Sequence, residues 1–173
     1  YLTSTQLKNI LCSIDRTTLE GKRNYFLFVL MVTGGLRDIE CHRANIEDIS
    51  TLADSTILFV QGKGREEKAD YIKLPAEVET AYRDYMIARG TAEPTEPLFI
   101  STSNNSKGDR LTTRSISAII KSCMKKAGYD STRLTAHSLR HTAVTLSLLG
   151  GNSLQEVQQF ARHSNIATTQ IYA

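Results

Sequence analysis

The sequence predicts a mainly α domain with a small antiparallel β-sheet (α+β), and three observations carry that prediction. Apolar residues recur at helical spacing in well-separated stretches along the chain. Two short β-prone runs, Ile57–Val60 and Tyr71–Leu74, flank a polar, glycine-bearing stretch in the manner of a hairpin. With 40% hydrophobic residues among 173, the chain can bury one core without disulfides or metal.

Taken in order, Leu7, Ile10, Leu11 and Ile14 mark an amphipathic helix, with Thr3 or Ser4 available to cap its start. Asn24–Thr33 is apolar nearly all round and stops at Gly34-Gly35, which predicts a buried helix with a glycine terminator. Ile46–Ile49 adds a candidate edge strand, although Glu47 and Asp48 disfavour it. The hairpin of Ile57–Val60 and Tyr71–Leu74 carries a long polar tip, Gln61–Asp70. Helical spacing returns at Val78, Ala81, Tyr82 and Tyr85, at Ile116, Ile119, Ile120 and Cys123, and at Leu139, Thr142, Ala143 and Leu146. Gly90–Pro97 and Ser101–Arg110 read as loops, with Leu98–Ile100 a candidate short strand between them.

Bulk properties exclude some classes and leave others open. Twenty-one basic and 18 acidic residues give a net charge of +3, which suits an anionic partner without demanding one. Cys12, Cys41 and Cys123 are odd in number and far apart, which argues for reduced thiols rather than a disulfide framework or a zinc site. No apolar run approaches the roughly 20 residues of a membrane span, so a soluble intracellular domain without a membrane role is expected. The chain starts at Tyr1 and ends one residue after Tyr172, so it reads as a single domain, residues 1–173, taken from a longer protein.

Several short motifs carry chemistry, and each alone has an ordinary structural reading. In the HSLRHT segment, His137 and Arg140 are three apart, so on a helix they share a face and can address one phosphate. A capped helix start with a solvated arginine is the plainer account. His137 and His141 have the spacing of a zinc pair, but Ser138 stands where a catalytic glutamate belongs and no third ligand is evident, so no metal is expected. In Gly34-Gly35-Leu36-Arg37-Asp38-Ile39-Glu40, the glycines permit a sharp turn that lets Arg37 open a new helix, with Glu40 one turn on to orient the guanidinium. A surface Arg–Glu pair explains the same residues at little energetic gain. Lys63, between Gly62 and Gly64, can swing from the hairpin tip towards a bound strand, or be a solvated turn lysine. His163 and Tyr172 are nine apart, which on one unbroken helix places them on opposite faces. A break at Ser164-Asn165, with Asn165 capping a short helix Ile166–Tyr172, is needed to bring them together.

In this order and at these separations, GGLRDIE, GKG in a hairpin, HSLRHT and ARHSNIATTQIYA resemble the tyrosine recombinase (phage integrase) family over essentially the whole chain. The last block is especially similar to integrases of bacterial conjugative transposons. The resemblance implies the tyrosine recombinase catalytic-domain fold, with Arg37 and Arg140 as the catalytic arginines and Lys63 as the hairpin lysine. It further implies His137 and His163 as the two histidines and Tyr172 as nucleophile, with Glu40, from the spacing noted above, in support of Arg37. It implies cleavage and rejoining of DNA through a 3′-phosphotyrosine intermediate, for integration and excision of a mobile element, with no cofactor. Its implied partners are double-stranded DNA at recombination sites, further copies in a synaptic tetramer, and accessory DNA-bending or excision factors. The implied setting is the bacterial cytoplasm, at the nucleoid. Relatives also carry N-terminal DNA-binding domains and a C-terminal tail helix that this chain lacks, and many have glycine where Arg162 precedes His163. A type IB topoisomerase-like enzyme and a noncatalytic DNA-binding relative are the rival readings.

Phosphoryl transfer gathers charge on the nonbridging oxygens, which two forked guanidiniums are shaped to hold. A phenol of pKa about 10 needs such cations, or a proton acceptor, to react near neutral pH. The departing 5′-oxygen needs a proton, which a mobile lysine can supply.

Overall fold

The computed structural model describes residues 2–61 and 70–149, with side chains in the last helix described through residue 143. Helix α1 spans Ser4–Ser13, α2 Leu19–Gly34 and α3 Asp38–Arg43; after a 3-10 turn at Ile46–Asp48 come strands β1 (Ile49–Leu52), β2 (Ser55–Val60) and β3 (Asp70–Lys73). Helices α4 (Ala76–Arg89), α5 (Thr113–Lys126) and α6 (Ala136–Leu149) follow. The three strands form one antiparallel sheet in the order β1-β2-β3, with Leu52 opposite Ser55 and Leu58 opposite Ile72. The expected mainly α domain with a small antiparallel sheet is what the chain forms.

Local chemistry explains the helix starts. The Thr3 hydroxyl accepts from the Gln6 N–H at 3.2 Å while the Gln6 side chain accepts from the Thr3 N–H at 2.8 Å, a reciprocal cap on α1. Thr18 caps α2 by accepting from the Gly21 N–H at 3.0 Å, so this helix begins at Leu19, earlier than its apolar stretch suggested. The polar residues of that first turn hid it: Arg23 is 96% buried, yet it is satisfied by the Asn24 side chain and the Ile100 carbonyl. Phe26–Met31 are buried along the whole run, and α2 packs against α1, α4, α5 and α6. It is the central helix.

Two expected strands are corrected. Ile46–Asp48 turns as a 3-10 helix because the Asp48 carboxylate accepts from the Asn45 N–H at 2.7 Å and closes the turn on itself. The edge strand therefore begins at Ile49, where the expected one ended. It joins β2 through a two-residue turn, Ala53-Asp54, with φ of 50° and 66°, the left-handed pair that tight hairpins require. Leu98–Ile100 is not a strand; only isolated bridges link Asn45 to Pro97 and Ile100 to Arg110. The Leu98 and Ile100 carbonyls are taken by side chains, while the Phe99 carbonyl accepts from the Leu111 N–H at 3.0 Å. Arg89 donates to the Pro97 and Leu98 carbonyls at 2.6 and 3.0 Å, the Tyr85 hydroxyl donates to Leu98 at 2.7 Å, and Arg23 donates to Ile100 at 3.0 Å.

These arginines fasten the long α4–α5 connection onto the helical body. Phe26, Tyr85 and Phe99 stack beneath it, with Phe26 and Phe99 centroids 5.2 Å apart. Arg110 then donates to the His42 and Ala44 carbonyls at 2.7 and 3.1 Å, and His42 Nδ1 donates to the Leu111 carbonyl at 2.7 Å. The C-terminal end of α3 is thereby locked in place. Among the described residues, no helix is long and apolar enough to cross a membrane.

Candidate active site

The site is built where the end of α2, the start of α3 and the start of α6 meet. At the end of α2, Gly35 adopts φ 61° and ψ 33°, and the N–H groups of Gly35 and Leu36 both return to the Met31 carbonyl. Gly34 lies against the sheet so closely that an added Cβ would come within 2.6 Å of Ile72 Cδ1. The chain turns sharply, buries Leu36, and presents Arg37 at the N-cap of α3.

Glu40 stands one turn behind Arg37 and is fully buried at the side chain. One carboxylate oxygen accepts from the Arg37 main-chain N–H at 2.8 Å, and the other lies 3.7 Å from the Arg37 guanidinium. The pair is therefore more than a solvated surface contact, because a buried carboxylate fixes both the backbone and the side chain of the arginine. Arg37 itself keeps 29% of its side-chain surface, enough to meet a ligand.

Across the pocket, the start of α6 is held by Ser138. Its hydroxyl lies 2.9 Å from the Thr135 N–H, from which it accepts, and donates to the Arg133 carbonyl at 2.7 Å. His137 is exposed, whereas Arg140, one turn further, is 97% buried and donates to the Gly35 carbonyl. The spacing of three does what the sequence suggested: Arg37, His137 and Arg140, with Leu36, Asp38 and Ala136, line one pocket of about 170 Å³. Burial holds the His141 imidazole below the usual histidine range, with the nearby His137 adding to the effect.

A cup lined by guanidinium, guanidinium and imidazole is chemically suited to a phosphate, whose oxygens accept charge-assisted hydrogen bonds from each. A larger cavity of about 250 Å³ between α1, α2 and α5 is lined by Asp15, Glu20, Asn24 and Lys126 and has no comparable gathering of cations. Of the residues singled out in the sequence, Lys63, His163 and Tyr172 lie outside the described residues, as does the short helix expected at Ile166–Tyr172. Three participants were not foreseen: the Gly35 carbonyl as acceptor for Arg140, Asp38 in the pocket wall, and Ser117, which donates to Asp38 at 3.3 Å. Asp38 sits inside a motif already singled out, but nothing in the sequence pairs it with a serine so far along the chain.

A helical body with a three-stranded antiparallel side sheet is the fold of a tyrosine recombinase catalytic domain. A family model described as the phage integrase family matches residues 1–173, and the chain belongs to that family. Tyrosine recombinase XerC of Leptospira interrogans serovar copenhageni is 33% identical over 151 residues, covering 87% of this chain and 46% of the relative. The XerH recombinase bound to a palindromic difH substrate, a post-cleavage complex, matches with a TM-score of 0.80 at 25% identity, over 99% of this chain and 48% of that one. The Tn1549 transposon integrase in complex with circular intermediate DNA shares the fold, with a TM-score of 0.77 at 21% identity over 99% of this chain and 60% of its own. The chain spans about half the length of the curated relatives it matches. These likenesses favour the recombinases over the topoisomerase alternative.

Proposed function

We propose that residues 1–173 form the catalytic domain of a site-specific DNA recombinase that cuts and rejoins double-stranded DNA through a covalent 3′-phosphotyrosine. The observation that carries this reading is the convergence of Arg37, His137 and Arg140 on one small pocket. The relative XerH, solved on its DNA substrate in a post-cleavage state, supports the same chemistry.

In this reading Arg37 and Arg140 hold the nonbridging oxygens of the scissile phosphate, with Glu40 keeping Arg37 aimed. The Tyr172 oxygen attacks phosphorus, the bond from phosphorus to the 5′-oxygen breaks, and the phenol passes its proton to the neutral His137 imidazole. Lys63 delivers a proton to the leaving 5′-oxygen, and His163 donates a hydrogen bond to the phosphate. A 5′-hydroxyl from a partner strand then reverses the step, so one phosphodiester is exchanged for another and no external energy source is consumed. Strand exchange between two duplexes calls for four such domains in a synaptic tetramer, with accessory DNA-bending or excision factors giving direction. The biological outcome is integration and excision of a mobile element in a bacterial cytoplasm.

The test is to incubate the full gene product with nicked duplexes bearing candidate element-end sites, denature, and look for a protein–DNA adduct blocked at the DNA 3′ end. The adduct is expected from the unmodified protein and lost in Tyr172→Phe, with DNA binding retained. Binding without adduct in both would replace this reading with that of a noncatalytic DNA-binding relative.

A further inference from the structure

Asp38 is the one carboxylate among the described residues lining a pocket that otherwise presents cations and apolar groups. Beside a phosphate a carboxylate repels, so its presence gives no binding advantage. Its hydrogen bonds point to a different use. One oxygen accepts from the Ile39 N–H at 2.7 Å and the other accepts from the Ser117 hydroxyl of α5 at 3.3 Å.

Helix α3 has only six residues, too few to hold its own position, so its placement is set by neighbours. Its C-terminal end is pinned by Arg110 and by His42. Helix α3 packs on α5, and the Asp38–Ser117 hydrogen bond ties the two at the N-terminal end of α3, next to Arg37. Helix α5 is in turn anchored in the core through Ile116 and Ile120, the first adjacent to Ser117.

We propose that Asp38 is a positioning residue for the recombinase reaction: through Ser117 it fixes the first turn of α3 against α5, and so sets where the Arg37 guanidinium stands relative to His137 and Arg140. The inference rests on the recombinase reading and adds to it a residue pair that neither touches the reacting atoms nor binds DNA. Misplacing a catalytic group by a fraction of an ångström slows the chemical step while leaving the ground-state complex intact.

The experiment is a double-mutant cycle on the full gene product, reading the single-turnover rate of adduct formation at saturating nicked DNA and, separately, the DNA dissociation constant. Asp38→Ala and Ser117→Ala are each expected to slow adduct formation about 10-fold, and the double variant no more than either alone. DNA affinity should be unchanged or, in Asp38→Ala, slightly tighter, because a repelling charge is gone. Asp38→Asn, whose amide bridges Ile39 and Ser117 without charge, and Ser117→Thr, which keeps the hydroxyl, should restore most of the rate. Additive losses, an Asp38→Asn variant as slow as Asp38→Ala, or an unchanged rate in Ser117→Ala would overturn the proposal. Ser117 is only partly buried and loses a single oxygen, so Ser117→Ala tests the pair even where Asp38→Ala folds poorly. Absence of any adduct from the unmodified protein would overturn the recombinase reading, and this inference with it.

Discussion

The two sides of the pocket present the same functional group in opposite settings. On the α3 side, Arg37 keeps 29% of its side chain exposed and is steered by a buried glutamate behind it. On the α6 side, Arg140 is 97% buried and spends one guanidinium nitrogen on the carbonyl that ends α2. One arginine is aimed and the other is built in. Loss of Arg37 should therefore register mainly in chemistry, whereas loss of Arg140 should register in chemistry and in folding.

The largest effect is expected from Arg140→Ala. Adduct formation should fall about 10²- to 10³-fold or more, and stability should drop on the order of 2 kcal/mol, because a buried carbonyl loses its charged donor and a space opens beneath α6. Arg37→Ala should lose a comparable factor in rate but only about 1 kcal/mol in stability, since the Glu40 carboxylate keeps the main-chain N–H of residue 37. Urea unfolding alongside single-turnover cleavage reads both, and equal stability losses for the two variants would break the comparison. Glu40→Gln sharpens it: the side-chain oxygen still caps residue 37, but an amide donor now faces the guanidinium. Cleavage should fall about 10-fold while the unfolding midpoint barely moves. The smallest effect belongs to Gly35→Ala, which forces a side chain into a left-handed conformation at a cost of about 1 kcal/mol. A stability loss much beyond that would mean the Arg140 anchor had been displaced as well.

Helices were the most legible feature, because their signals are local. The 3.6-residue spacing of Val78, Ala81 and Tyr85, or of Ile116, Ile120 and Cys123, survives into buried positions. The structure departs from the sequence where a side chain overrides the local pattern: Asp48 closes a turn over residues that look extended, and Arg89, Tyr85 and Arg23 take the Leu98 and Ile100 carbonyls, leaving isolated bridges where a strand is expected. The β1–β2 turn escaped notice because Ala53-Asp54 lacks the glycine or asparagine that usually announces a left-handed pair. At the site, the spacing of His137 and Arg140 was readable because a helix maps sequence distance onto a face. The Gly35 acceptor and the Asp38–Ser117 bond were not, since both join residues far apart along the chain and leave no periodic trace.

The contact between Arg140 and the Gly35 carbonyl joins residues 105 positions apart. A ribosome that has already released the α2–α3 corner must add all of that chain before the second guanidinium exists. Every shorter nascent product carries half of the pocket lining. A chain that stops before α6 presents Arg37 and the Gly35 carbonyl with neither His137 nor Arg140 opposite them.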